Sequence, residues 1–184
     1  GVVAGAALAA ALDVPNLVTF DMGGTSADFS LIADGEPRMV NTRMVDEQPL
    51  RLPTLDIETI SAGGGSISHV DLGGGLKVGP DSAGAEPGPA CYGLGGTQPT
   101  VTDASVVLGI LHPDEFLGGE MDIEPGLALA AIDEHIAVPL NLAEEEAAIR
   151  VNPDFKSIQS FLNKTSIKPA LKEASHIIFR THFI

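Results

Sequence analysis

The sequence contains one cysteine, one tyrosine, no tryptophan and only 10 lysine and arginine residues among its 184 positions. A single cysteine excludes an intrachain disulfide bond and a cysteine-rich zinc framework. The 25 acidic residues outnumber the basic ones and give a formal net charge of −15. Because nucleic acids are bound through clustered basic side chains, we expect no nucleic-acid partner.

Long hydrophobic runs are also lacking. The opening segment, residues 1–12, is apolar but shorter than the roughly 20 residues that cross a bilayer, and no basic leader precedes it. We therefore expect a buried helix here, no membrane segment and a cytoplasmic protein. Because the chain starts without methionine, we also expect it to be a fragment of a longer protein.

Charge is distributed unevenly along a chain whose composition is otherwise globular, with 44% hydrophobic and 19% charged residues. Residues 1–150 hold 23 of the 25 acidic residues but only 5 of the 10 basic ones. The sequence therefore predicts a core segment over 1–150 and a distinct tail over 151–184. The tail is a separate small element, a cloning artefact or an out-of-frame terminus.

Short strand patterns, glycine turns and alanine-rich stretches predict an α/β (α+β) fold with β-hairpins, glycine-rich loops and C-terminal helices. The Asp34-Gly35 dipeptide indicates a tight hairpin turn, and residues 79–100 are too rich in glycine and proline for regular structure. The predicted strands are 16–21, 28–33, 37–41, 55–60, 67–71 and 76–78. The predicted helices are 1–12, 104–111 with a cap at Thr102 or Asp103, 124–137, 143–150, 156–163 and 170–176.

The segment FDMGGTSAD, residues 20–28, has the features of a phosphate-binding turn. A strand ends in an aspartate, and glycines follow where backbone amides can approach an anion without obstruction. The aspartate supplies the hard oxygen ligand that Mg²⁺ prefers. The alternative is an ordinary hairpin turn. The candidate residues are Asp21 for catalysis and Mg²⁺, with Gly23, Gly24, Thr25, Ser26 and Asp28 for the nucleotide.

A second glycine run, Gly63, Gly64 and Gly65, leaves two interpretations open. Its amides could line a nucleotide or substrate cleft, or its glycines could allow two chain segments to pack closely.

A second divalent metal site is a further hypothesis. His69 and Asp71 are two positions apart, so in a strand they point to the same face, and the thiolate of Cys91 is a possible third ligand. The alternative is a surface histidine–aspartate pair and a buried structural cysteine. Asp103 has two interpretations as well, as a helix cap or as a residue facing the cleft.

The motifs NLVTFDMGGTSADFSLIADGEP, SAGGGSISHVD and LKVGPDSAGAEPGPACYGLGGTQPTVTDASVVLGIL resemble the hydantoinase A/oxoprolinase family over about residues 1–150. The resemblance implies part of an actin-like (ribonuclease H-like) ATPase domain. It also implies that Asp21 and residues 23–26 form the second phosphate loop and that residues 78–92 form a wall of the substrate cleft. Departing from the family's usual Gly-Ala-Gly-Gly-Gly-Ser, Ser61 stands in place of the first glycine.

The resemblance implies an ATP-dependent hydrolase that opens cyclic amides of the hydantoin or 5-oxoproline type after ATP activates the carbonyl. The alternatives are a ketone carboxylase subunit and a truncated, non-catalytic remnant of the fold. A hydantoinase B-type partner subunit is implied as well. Because an ATP clamp needs both of its halves, we expect the isolated chain to be inactive.

Overall fold

The computed structural model describes residues 1–152 and 176–181, which mix helices and strands as the sequence predicts. Their contacts divide them into two compact units. The first unit consists of residues 1–22, 27–60 and the strand at 176–181. The second unit consists of residues 23–26 and 61–152.

The first unit is built on a five-stranded sheet in which a helix packs beside the central strands. The strands follow the order β11 (His176–Thr181), β1 (Leu17–Met22), β2 (Ala27–Ala33) and β3 (Glu36–Pro37), and β8 (Ile57–Ile60) also pairs with β2. Strand β11 lies parallel to β1, and the other pairs are antiparallel. The helix is α1 (Val2–Leu12). The strands of the unit are β1 (Leu17–Met22), β2 (Ala27–Ala33), β3 (Glu36–Pro37), β4 (Met39–Val40), β5 (Arg43–Val45), β6 (Gln48–Leu50), β7 (Thr54–Leu55), β8 (Ile57–Ile60) and β11 (His176–Thr181).

Sequence determines this unit through apolar strands and a small-residue helix. Leu17, Phe20 and Phe29 are almost completely buried in β1 and β2. Gly5 allows α1 to approach the sheet, since a Cβ atom there would lie 2.3 Å from Cγ2 of Thr19. The predicted strands at 16–21 and 28–33 and the tight turn that follows them are confirmed.

One hairpin of the first unit was not predicted. Strands β5 and β6 are joined at Asp46 and Glu47, which both have positive φ angles, and every residue from 41 to 53 is exposed. The sequence signal fails here because the turn lacks glycine and asparagine, the residues that normally tolerate this backbone conformation.

The second unit combines a β-hairpin with helices around two hydrophobic clusters. The hairpin of β9 (Ser66–Val70) and β10 (Leu76–Ser82) is confirmed around the glycines at 73–75. The helices are α2 (Val101–Val107), α3 (Pro125–Ile132), α4 (Val138–Leu140) and α5 (Glu144–Val151), with a π-helical turn at Asp133–Ala137 and 3-10 turns at Ala90–Tyr92 and Pro113–Gly119. No single helix in the described residues is long and apolar enough to cross a membrane. One pair of consecutive helical segments, Pro125–Leu140 and Glu144–Val151, would be long and apolar enough by length and composition alone, but the two segments are bent by 95°.

Helix α2 begins earlier than predicted. Its N-cap is Thr100, not Thr102 or Asp103, and Asp103 completes a capping box three residues later. The Oγ1 and backbone N–H of Thr100 both donate to Oδ2 of Asp103 at 2.8 Å. The capping interpretation of Asp103 is therefore confirmed.

In the tail, the helix predicted at 156–163 and most of the one at 170–176 lie outside the described residues. The exception, His176, begins β11, so the predicted helix is wrong at this residue.

The buried carboxylate of Asp103 generates a stability prediction. Besides Thr100, it accepts hydrogen bonds from the N–H groups of Ala90 and Cys91. Asp103→Ala leaves these donors buried without an acceptor, so it should lower the free energy of unfolding by about 3–5 kcal/mol. Urea denaturation measures the loss. The control Asp122→Ala, at an exposed position, should change stability by less than about 0.5 kcal/mol. Equal effects of the two variants would contradict this role.

Candidate functional site

The bend between β1 and β2 is the centre of the candidate site. Met22 and Ala27 are the last paired residues of the hairpin, so residues 23–26 form a four-residue connection. The N–H of Gly23 donates to the carbonyl of Ser26 at 2.9 Å and closes the bend. Thr25 at its tip is exposed, and its neighbours are half-buried. By its contacts this bend belongs to the second unit.

Three of the four amides of the bend have no acceptor among the residues that the structure describes. Among the hydrogen bonds of the described residues, none is donated by the backbone N–H of Gly24, Thr25 or Ser26. Successive unpaired amides in a tight bend form a concave site of positive potential that suits an anion. The arrangement differs from a turn whose amides are all used internally, and the binding of a nucleotide by this segment stays a prediction.

The glycine run at 63–65 explains why the bend is oriented in this way. The N–H of Gly64 donates to the carbonyl of Gly23, and the N–H of Gly65 donates to the carbonyl of Gly24, both at 2.9 Å. A Cβ atom on Gly63 would lie 2.5 Å from the nitrogen of Thr25, so only glycine permits this approach. The carbonyls of Gly23 and Gly24 thus accept hydrogen bonds, whereas the amides of Gly24, Thr25 and Ser26 donate none among the described residues.

The same contacts correct one prediction about the glycine run. The N–H of Gly63 donates to Oγ of Ser66, and the other two N–H groups bond to the bend. The amides of Gly63, Gly64 and Gly65 are therefore not available to a nucleotide, and the close-packing interpretation is the correct one. Gly64 also accepts both the N–H and the hydroxyl of Thr102, which ties the run to α2.

A small cavity of about 70 Å³ lies in front of the bend within the second unit. This volume is several times the roughly 10–15 Å³ that one water molecule requires. No charged side chain of the described residues lines the cavity. Its main walls are Gly24, Thr25, Gly65, Ser82, Pro89 and Tyr92.

Asp103 binds the chain segment between two residues that line the cavity, Pro89 and Tyr92. Its carboxylate accepts the N–H of Ala90 at 3.2 Å and that of Cys91 at 2.8 Å, and it is fully buried. Sequence reasoning named residues 78–92 as a wall but did not single out Ser82 or Tyr92. No local signal could do so, because their position beside the bend depends on chain segments more than fifty residues apart.

Two carboxylates flank the bend along the chain, in the first unit. Asp21 and Asp28 are direct cross-strand partners, so they share a face of the sheet, and both line a cavity of about 220 Å³. Oδ1 of Asp28 accepts the hydroxyl of Thr59 at 2.6 Å, and Oδ2 of Asp21 lies 3.5 Å from the α-amino group of Gly1. Paired, partly exposed carboxylates fit Mg²⁺, which is usually held by one or two carboxylates and keeps several waters.

The second metal site proposed from sequence is not formed. In the part of the chain that the structure describes, no group of three or more histidine, cysteine, aspartate and glutamate side chains is placed to hold a metal ion. His69 is exposed on β9 opposite Lys77. Asp71 instead accepts the N–H groups of Gly75 and Gly73, and the Gly75 bond is the main cause of its lowered pKa.

Cys91 is an apolar core residue, fully buried against Val106, Phe116 and Ile123. Burial raises the pKa of its thiol far above the usual range, and the charge of Asp103 raises it further. A zinc ligand must be a thiolate, so this environment opposes metal binding.

The thiol gives a direct test, since it is the only one in the chain. Because the raised pKa of Cys91 keeps it protonated below that pKa, the native protein should not react with Ellman's reagent at about pH 8. In urea, where the pKa returns towards its ordinary value, one thiol per chain should react. Rapid stoichiometric reaction without urea would contradict the buried position.

Fold and site together define a mixed α/β protein with a glycine-supported bend between strands. A family model described as Hydantoinase/oxoprolinase matches residues 1–154. The chain belongs to the hydantoinase/oxoprolinase family, and the resemblance deduced from its motifs is confirmed.

Curated relatives are much longer than this chain. It is 43% identical over 148 residues to the caprolactamase subunit alpha of Pseudomonas jessenii, which covers 80% of this chain and 21% of that protein. It is 44% identical over 150 residues to the acetophenone carboxylase gamma subunit of Aromatoleum aromaticum, covering 80% and 20%. The chain therefore spans about a fifth of the length of these relatives.

Solved structures confirm the fold class. The crystal structure of ATP-dependent caprolactamase from Pseudomonas jessenii matches 98% of this chain and 26% of that chain, with a TM-score of 0.71 and 34% identity. A nucleotide-free acetone carboxylase structure matches 92% of this chain and 24% of that chain, with a TM-score of 0.64 and 34% identity.

Gly63 offers a test of how the bend is supported. Gly63→Ala forces a methyl group against backbone atoms of Gly24 and Thr25 that have no room to move. It should lower the free energy of unfolding by about 1–3 kcal/mol, as overpacking does.

The control is Gly126→Ala in α3, where an added Cβ atom meets nothing within 4 Å. That variant should be neutral or slightly stabilising, because alanine is favoured over glycine in a helix. Urea denaturation compares the two variants; if Gly63→Ala were as stable as Gly126→Ala, the close approach would be refuted.

Proposed function

We propose that the bend at residues 23–26 binds a phosphoryl group of ATP. The observation that carries the proposal is that, among the hydrogen bonds of the described residues, the amides of Gly24, Thr25 and Ser26 have no acceptor, whereas the carbonyls of Gly23 and Gly24 are bonded to Gly64 and Gly65. Gly24 and Thr25 also line the 70 Å³ cavity. Two relatives of known structure support the choice of ATP, since a caprolactamase is ATP-dependent and an acetone carboxylase performs ATP-dependent carboxylation.

In the first unit, we propose that the carboxylates of Asp21 and Asp28 hold Mg²⁺. When bound, the ion supplies positive charge that neutralises phosphate oxygens. Asp21 precedes the bend by two residues and is the candidate to hold the ion or to orient an attacking oxygen. The amides of the bend fix the phosphoryl group, and such positioning accounts for most of the catalysis in phosphoryl transfer.

The proposed reaction is hydrolysis of a cyclic amide. ATP activates the carbonyl oxygen of the ring, and water then opens it, with hydantoin or 5-oxoproline as the expected substrate type. Similarity to a caprolactamase subunit supports a lactam substrate. A second candidate is ketone carboxylation, favoured by 44% identity to an acetophenone carboxylase subunit.

Catalysis is proposed for a longer assembly and not for this chain alone. The chain spans about a fifth of its curated relatives, several of which are named as subunits. We propose a cytoplasmic enzyme in which residues 1–150 form the family core and residues 151–184 a separate tail. We also propose that this enzyme contains a partner subunit of the hydantoinase B type.

Calorimetric titration with MgATP tests the site in the chain as it stands. The wild-type chain should release or absorb heat on binding. Thr25→Asp places a carboxylate at the exposed tip of the bend and should weaken binding about tenfold or more, because like charges repel the phosphate.

Thr97→Asp is the matched control, since Thr97 is exposed in the same unit and does not line the cavity. This variant carries the same added charge and should bind like the wild type. If both variants weakened MgATP binding equally, the cause would be the added net charge, and the assignment of the bend as the phosphate site would be wrong. No binding heat from the wild-type chain would favour the non-catalytic remnant.

A further inference from the structure

Two residues with hydroxyl groups line the cavity together with the bend. Ser82 ends β10, and Tyr92 ends the 3-10 turn at Ala90–Tyr92; both line the 70 Å³ cavity that also contacts Gly24 and Thr25. All four residues belong to the second unit. The residues that line the cavity therefore include two with unpaired amides, among the hydrogen bonds of the described residues, and two with side-chain hydroxyl groups.

Tyr92 is fixed in place. Its ring packs against that of Phe116 at a centroid distance of 5.5 Å, and its N–H donates to the carbonyl of Pro89. A Cβ atom on Gly88 would lie 2.7 Å from Cδ2 of the ring, so the neighbouring backbone is tightly apposed to it. Burial raises the pKa of Tyr92 to about 12, which keeps the phenol protonated and able to donate at neutral pH.

Ser82 keeps its proton available as well. Its Oγ accepts the N–H of Gly84 at 3.2 Å, which occupies one lone pair and leaves the O–H to donate. Among the hydrogen bonds of the described residues, neither Ser82 Oγ nor Tyr92 Oη is a donor.

Several hydrogen-bond donors among the residues that line the cavity favour a ligand that carries several acceptor oxygens. A phosphoryl group has three such oxygens, whereas a cyclic amide presents one carbonyl oxygen and an N–H that itself needs an acceptor. No carboxylate or basic side chain of the described residues lines the cavity, so neutral donors alone face the ligand.

We propose that Ser82 and Tyr92 bind the same phosphoryl group as the bend, so that their hydroxyls complete the anion site. This inference rests on the proposed function of the bend and extends it to two residues of the loop that follows β10. Asp103 acts as the positioning residue of the segment that ends at Tyr92 through the N–H groups of Ala90 and Cys91.

The test is calorimetric titration of the full chain with MgATP and, separately, with inorganic phosphate. Tyr92→Phe removes only the hydroxyl and keeps the ring against Phe116, and Ser82→Ala removes the other hydroxyl. Each should weaken binding of both probes by about tenfold to a hundredfold, as expected for one hydrogen bond to a charged group. Ser82→Thr, which retains a hydroxyl, should restore most of the affinity.

Thr97→Ala is the control, because it deletes an exposed hydroxyl away from the cavity, and it should bind like the wild type. Wild-type affinity in both Tyr92→Phe and Ser82→Ala would overturn this inference and leave the bend as the phosphate site. Failure of the wild-type chain to bind either probe would overturn the proposed function together with the inference. Circular dichroism verifies folding; if Ser82→Ala is misfolded, Tyr92→Phe alone decides.

Discussion

A pair of backbone hydrogen bonds determines the character of the site. The N–H groups of Gly64 and Gly65 take up the carbonyls of Gly23 and Gly24, and this is possible because Gly63 has no side chain to hold the segments apart. The carbonyls of Gly23 and Gly24 are therefore bonded, whereas the amides of Gly24, Thr25 and Ser26 have no acceptor among the described residues, so the bend offers hydrogen-bond donors. The chemistry proposed for the protein follows from these donors.

The arrangement also solves an electrostatic problem. A chain with a formal charge of −15 repels nucleotides at long range, and the cavity in front of the bend has no charged side chain among the described residues to offset this repulsion. Backbone amides and hydroxyls act at short range and cost no burial of charge. Asp21 and Asp28 lie on the strands that flank the bend along the chain, and we propose them as ligands of a cation.

Local sequence signals predicted those features that are determined locally. Asp34-Gly35 indicated its turn, and the alternating pattern around it indicated β2. The predicted cap of α2 at 102–103 is wrong although its signal is local: Thr100 and Asp103, three residues apart, form a capping box. The role of Gly63 and the position of Tyr92 depend on contacts between distant segments, which periodicity and propensity do not encode.

The central claim is that the amides of Gly24, Thr25 and Ser26 donate to a phosphoryl group. Nuclear magnetic resonance of the ¹⁵N-labelled chain, titrated with MgATP, tests it residue by residue. The account predicts that these three amide resonances shift most, whereas Gly64 and Gly65, whose amides are already bonded, shift less. Binding of MgATP that leaves the amides of the bend unchanged, with the largest shifts elsewhere, would contradict it.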